Sequence, residues 1–293
     1  MRHIVPCSLK INLALRVFGR RADGYHDVYS LYMRLPSPDI LEIGEAEGRD
    51  TLKVLGLEIA GRNILEDVCS AARAVKSDMP HLDMRLFKHV PTGSGVGAGS
   101  GNAAALLRWL SRRYDLPAMD VRAAAGFGAD VAFLFSPFSV ARAGGIGEIL
   151  ADAGPSPATC ALLCFPQWRS GTRHAYARLD ALRLSGELPT PDGDGTEDEG
   201  AALLDSLREG ERSGPLPNDF AACMPEHAAD YDALYRCFEG AGALAWGLCG
   251  SGSAAVALFD ARPVCGGDGI EAAHRALRAT ARFPWLQKTL ILE

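Results

Sequence analysis

The chain has 293 residues, 48% hydrophobic and 23% charged, with a formal net charge of −6. No run of about 18 apolar residues occurs, which argues against a membrane-spanning helix, and the acidic balance lacks the basic footprint of a nucleic-acid binder. The segment SGELPTPDGDGTEDEG (185–200) holds six acids and no base, so it carries the whole excess and leaves the rest formally neutral.

In chain order, MRHIVPCSLKINLALRV sets Lys10 and Asn12 inside an apolar stretch and lacks a small-residue cleavage site. It reads as a first strand (11–18) rather than a signal peptide, and the expected compartment is the cytoplasm. GRRADGYH (19–26) reads as a turn, with strands expected at 29–35, 40–43 and 52–59. Asn63, a favourable N-cap, precedes ILEDVCSAARAVK (64–76), whose apolar spacing is near the helical period. DMRLFKHV (83–90) alternates as a half-buried strand does. A glycine-rich stretch then leads into an Ala/Leu helix ending near Arg113, and 118–127 reads as a helix. Gly and Pro cluster at 153–157, where a domain boundary is expected. Beyond it come a strand (159–165), a helix (172–182), a mobile acidic loop (185–200) and a helix (221–239). A strand–glycine turn–strand (243–259), a helix (270–281) and a last strand (288–292) follow. The mixture is α+β, in two domains, 1–153 and 154–293, without an internal repeat.

Eight cysteines (Cys7, Cys69, Cys160, Cys164, Cys223, Cys237, Cys249, Cys265) form no CxxC pair, and seven histidines form no HExxH. The sequence therefore supports neither a disulfide framework nor a structural zinc site, and the thiols read as small buried apolar groups. It names no metal ligand and fixes no oligomeric state.

HVPTGSGVGAGSGNAAALLRWL (89–110) is the most informative stretch. A flexible linker would separate polar segments, and this one joins an amphipathic strand to a strong helix former. A tight turn needs one or two glycines rather than the five here. A phosphate cradle fits better, because bare backbone lets N–H groups approach an anion at the positive end of a helix. The segment is not a Walker loop, since no lysine precedes a Ser or Thr, and it does not complete GxGxxG.

Pro91-Thr-Gly-Ser-Gly-Val-Gly-Ala-Gly-Ser-Gly-Asn-Ala-Ala104 resembles the central motif of the GHMP small-molecule kinases. Lys10-Ile-Asn12 with GRRADGYH looks like the N-terminal signature of a member acting on a cytidine-diphosphate-linked methylerythritol in the non-mevalonate route to isoprenoids. Gly247-Leu-Cys-Gly250-Ser251-Gly252-Ser253 is similar to the family's C-terminal glycine turn, and Gly128-Ala-Asp130-Val131, Gly144-Gly145-Ile-Gly147-Glu148 and Asn218-Asp219-Phe220 match in order. The resemblance covers nearly the whole chain. It implies a two-domain GHMP kinase fold, with a ribosomal S5 domain 2-like N-terminal domain and a ferredoxin-like C-terminal domain, and an active site between them.

The resemblance also implies roles. Asp130 would accept the hydroxyl proton and Lys10 would hold Asp130 ionised; without it, Asp130 reads as a helix or turn cap and Lys10 as a strand cation. Gly93, Ser94, Gly95, Val96, Gly97, Ala98, Gly99, Ser100, Gly101 and Asn102 would hold the phosphates of ATP, with Mg²⁺ as companion ion and Ser100 as a candidate ligand. Asn63 stands near the adenine position and equally well as a helix cap. Asn12, Asp23, Tyr25, His26, Thr172 and Tyr176 would bind the cytidylyl substrate: His26 at the base edge, Tyr25 on one face, Tyr176 on the other. Thr172 stays open between substrate contact and N-cap. The chain departs from the family pattern at Ser8-Leu9 (commonly Pro-Ala), Gly101 (often serine) and Ala132 (often proline); Gly101 is expected to remove a hydroxyl donor.

Overall fold

A computed structural model describes residues 2–59, 61–191, 193, 195–262, 267–279 and 283–292. In chain order the elements are β1 (His3–Arg20), β2 (His26–Ala46), β3 (Thr51–Gly56), α1 (Ile64–Val75), β4 (His81–Lys88), α2 (Ala98–Tyr114), α3 (Val121–Ala125), α4 (Ala129–Phe135), β5 (Val140–Gly144), β6 (Ile149–Gly154), β7 (Thr159–Pro166), α5 (Thr172–Leu184), α6 (Thr196–Glu209), β8 (Gly214–Pro215), α7 (Ala228–Gly240), β9 (Ala245–Leu248), β10 (Ala255–Asp260), α8 (Gly267–Ala279) and β11 (Leu286–Leu292). Helices and strands mix as expected of an α+β chain.

The chain divides into two compact units. One holds Met1–Lys10, Arg34–Thr92 and Gly97–Phe138; the other holds Ile11–Met33, Gly93–Val96 and Ser139–Glu293. In the first, β4 pairs parallel with β3 and antiparallel with the 40–46 part of β2. The alternation read in β4 holds: Leu82, Met84 and Leu86 are buried, with less buried neighbours between them. Alpha-helix α1 buries Leu65, Val68, Cys69 and Ala72, one stripe at helical spacing. Its N-terminus is a capping box, with Asn63 accepting from Leu65 N and Glu66 accepting from Asn63 N.

In the second unit, β5 pairs with the 30–33 part of β2 and with β6, and a second sheet runs β11-β7-β10-β9-β8. Inner strand β7 is apolar and buried from Cys160 to Pro166. Leu162, Cys164, Leu179, Phe220, Leu234, Phe238 and Trp246 belong to one buried cluster with it.

Several expectations need correction. The strands read at 29–35 and 40–43 are one strand, β2. Pro36 and Pro38 fall between its stretch paired with β5 and its stretch paired with β4. The helix expected over 221–239 starts at Ala228, after 3₁₀ turns at Asp219–Cys223 and Pro225–His227. Proline at 225 forces Met224 out of helical geometry (φ −130°, ψ 57°). The acidic segment 185–200 is not all loop, because α6 begins at Thr196. Glu197, Asp198 and Glu199 fill its first turn, where the helix dipole favours negative charge, and Glu199 forms two hydrogen bonds with Arg16, at 2.7 and 3.1 Å. Residues 192 and 194 of that segment, 280 and 281 of the expected last helix, and Cys265 lie outside the described residues. All the described cysteines but Cys237 are buried.

Candidate active site

In the first unit, Lys10 Nζ lies 3.4 Å from Asp130 Oδ1. Lys10 is only 5% exposed, so β1 delivers a nearly desolvated cation to that carboxylate. Asp130 sits in the first turn of α4, after Gly128, whose φ of 138° suits glycine. The GADV motif is thus a helix start.

Alpha-helix α2 begins against this pair. Its N-cap is Gly97 (φ 64°), and a Cβ there would come within 3.2 Å of Lys10 Cγ and 3.3 Å of Asp130 Oδ2. The helix has no side-chain cap and no acid in its first turn, which leaves the backbone end suited to an anion. A Cβ on Gly93 or Gly99 would meet nothing within 4 Å, so the backbone there is open to a ligand. Val96 and Ala98 bury their side chains and can offer only backbone. Gly101 has a different purpose: a Cβ would lie 1.8 Å from the Ser8 carbonyl oxygen, because α2 touches β1 there. The expected loss of a hydroxyl donor is therefore secondary to a steric requirement for glycine.

Asn63 caps α1 through Oδ1, yet its Nδ2 is buried without a hydrogen-bond partner. An orphaned buried donor is costly and suits an incoming acceptor. Both readings of Asn63 are compatible with its position. Asn102 is drawn elsewhere: its amide is buried and bonded to Asp39 and Lys88, beneath the loop.

In the second unit, Gly95 (φ 86°) packs its backbone on the C-terminal glycine turn, where a Cβ would lie 1.9 Å from Cys249 O. Ser94 is buried and its carbonyl accepts from Ala254 N at 3.0 Å. Asn218 Nδ2 donates to Leu248 O (3.0 Å) and Gly250 O (2.9 Å), holding the same turn. Thr172 is the first residue of α5 rather than its cap, and its hydroxyl lies 3.1 Å from that of Ser251.

The GRRADGYH turn lies between β1 and β2. Asp23 accepts from Tyr25 N (3.1 Å); that bond, with Arg21 beside it, holds the carboxyl below its usual range. Tyr25 is 60% exposed. His26 is buried, with Nε2 2.7 Å from Asp180 Oδ1 and its ring stacked on Tyr176 at 5.0 Å and 28°. Tyr176 meets Phe220 edge-on at 4.8 Å. Asn12 is buried and donates to Ser30 Oγ at 2.8 Å.

Asp180 was missed by the sequence reading. Thr172, Tyr176 and Asp180 are four residues apart, so one face of α5 carries all three, and that spacing was the available signal. Asp39 and Lys88 were missed as well. Nothing local marks them, since their partners lie far along the chain.

A model of the GHMP kinases N terminal domain matches residues 63–136. A 4-diphosphocytidyl-2-C-methyl-D-erythritol kinase from Solidesulfovibrio magneticus is 35% identical over 88% of this chain and 89% of its own length. The chain belongs to the 4-diphosphocytidyl-2-C-methyl-D-erythritol kinase family. A second member of that family, from Chlorobaculum tepidum, is 31% identical over 97% of this chain and 96% of its own. A crystal structure of a 4-(cytidine 5'-diphospho)-2C-methyl-D-erythritol kinase superposes with a TM-score of 0.77 at 25% identity, covering 100% of this chain and 98% of that one. The Methanococcus jannaschii mevalonate kinase (TM-score 0.57, 13% identity, 100% and 98% covered) shares the fold. The chain thus has the α+β, two-domain GHMP kinase fold, and membership in this kinase family brings ATP as phosphoryl donor. Among the described residues no helix is long and apolar enough to cross a membrane.

Proposed function

We propose that this chain phosphorylates the 2-hydroxyl of 4-diphosphocytidyl-2-C-methyl-D-erythritol with ATP, in the cytoplasm, as a step of non-mevalonate isoprenoid precursor synthesis. Its expected domains are 1–153 and 154–293. The observation that carries the chemistry is the Lys10–Asp130 pair, 3.4 Å apart, against the start of α2.

ATP supplies an activated phosphoryl group, and the chain's task is positioning and charge. Asp130 takes the proton from the acceptor hydroxyl as its oxygen bonds to phosphorus and the phosphoanhydride bond breaks, with ADP leaving. Lys10, desolvated beside that carboxylate, offsets negative charge on the transferring group. The residues present fit the nucleotide: the uncapped start of α2 suits its phosphates, and the orphaned Asn63 Nδ2 suits a ring acceptor. For Mg²⁺, no group of three or more His, Cys, Asp or Glu arranged to hold a metal ion occurs among the described residues. Ion binding through ATP's phosphates with few protein ligands fits that, and half-buried Ser100 is the candidate among them. Tyr25 and Tyr176 would flank the cytosine, with His26, oriented by Asp180, at its edge.

A coupled assay of ADP release tests the proposal, comparing the cytidylyl acceptor with homoserine and mevalonate. Release only with the cytidylyl acceptor is expected. No release with it, or equal release with mevalonate, refutes the substrate assignment.

A further inference from the structure

The connection from β4 to α2 is gripped from beneath by a group the chemistry above does not use. Asp39, in β2, is fully buried, and its carboxylate accepts four donors. Oδ1 takes the backbone N–H of His89 at 2.7 Å and of Val90 at 2.9 Å. Oδ2 takes the Lys88 ammonium, and Asn102 Nδ2 at 3.1 Å. Lys88 Nζ also donates to Asn102 Oδ1 at 3.2 Å, which closes a three-membered ring of side chains. Burial pulls the Lys88 pKa down against the pull of Asp39.

Such a pair is poor evidence of stabilisation, because apolar residues of similar volume are often as stable or more so. What it adds is direction. His89 and Val90 stand just before Pro91 and the glycine-rich segment, and Asn102 stands in α2 just after it. One carboxylate therefore fixes the chain on both sides of the loop. The same stretch of α2 sets Gly97 against Lys10 and Asp130.

We propose that Asp39 is a positioning residue for the ATP loop: it holds residues 89–90 and Asn102 at a fixed separation, so that the start of α2 is already shaped for phosphates. The inference rests on the ATP reading of that loop. Preorganised support of this kind acts on binding geometry more than on the acceptor.

Three variants test it. Asp39→Ala with Lys88→Met removes both charges and releases the loop. Asp39→Asn with Lys88→Met also removes both charges, but its amide oxygen still accepts from His89 and Val90. Asp39→Glu keeps the ion pair and shifts the grip by one methylene. Nucleotide affinity is read by calorimetry without acceptor, and KM is read separately for ATP and for the cytidylyl substrate. The first variant is expected to weaken nucleotide binding and raise KM for ATP by about tenfold, with the acceptor KM within about twofold. The second is expected to recover to within about threefold of wild type. Wild-type nucleotide affinity in the first variant, or equal rises in both KM values, overturns the proposal. Should that variant not fold, unchanged nucleotide affinity in Asp39→Glu overturns it equally. A wild-type protein that binds no nucleotide instead refutes the ATP reading, so the two failures are distinguishable.

Discussion

Replacing Gly101 by serine should damage this particular chain. The new Cβ would sit 1.8 Å from the Ser8 carbonyl oxygen and 3.0 Å from its carbon. Both sides of that contact are backbone, so no flexible side chain can yield, and the start of α2 must move off β1 by about 1 Å. Overpacking of this kind costs about 1–3 kcal/mol. For a chain of this size that lowers Tm by about 2–5 °C. The same movement draws Gly97 away from Lys10 and Asp130, now 3.2 and 3.3 Å from where its Cβ would stand. Misplacing reacting groups by about 1 Å can cost on the order of 100-fold in rate. Thermal melting and ADP release measure the two effects. Gly99→Ser is the control for stability, because its Cβ meets nothing within 4 Å, and its Tm is expected to stay within about 1 °C of wild type. A Gly101→Ser protein with wild-type Tm and turnover refutes the close approach.

Asp130→Asn should lower kcat by about 10²–10⁴-fold while leaving nucleotide affinity close to wild type, and near-normal turnover in the ADP assay would remove Asp130 from catalysis. Tyr25→Ala, at a 60% exposed position, should leave Tm nearly unchanged yet weaken cytidylyl-substrate binding by about 1–3 kcal/mol in calorimetry; unchanged affinity would count against stacking. Burial pushes the Cys7 thiol up from 9.0 to about 11, so the folded chain keeps that proton longer than the unfolded one. Stability from this group is fully present below pH 9 and is lost as pH rises towards 11, by about 2–3 kcal/mol in all. Melting curves from pH 8 to 11 should show that decline, and Cys7→Ala should flatten it; identical slopes would refute the assignment.

The sequence alone determined the local elements whose cause is local. Asn63 before an apolar stripe made a capped helix, alternation in β4 made a half-buried strand, and the glycine segment led into α2 as backbone chemistry requires. The family match supplied Lys10 and Asp130 as partners, and the structure sets them 3.4 Å apart. Tertiary structure decided what depends on distant neighbours. Strand β2 runs through two prolines as its partner changes from β5 to β4, and α6 begins inside the acidic segment, where Glu199 meets Arg16 across 183 residues of chain. Asp180 at His26, Ser8 beneath Gly101 and Asp39 beneath the loop follow the same rule. Helix periods and caps act within a few residues, so they can be read in order along the chain. Hydrogen bonds and steric limits act through space, and only the folded chain brings their partners together.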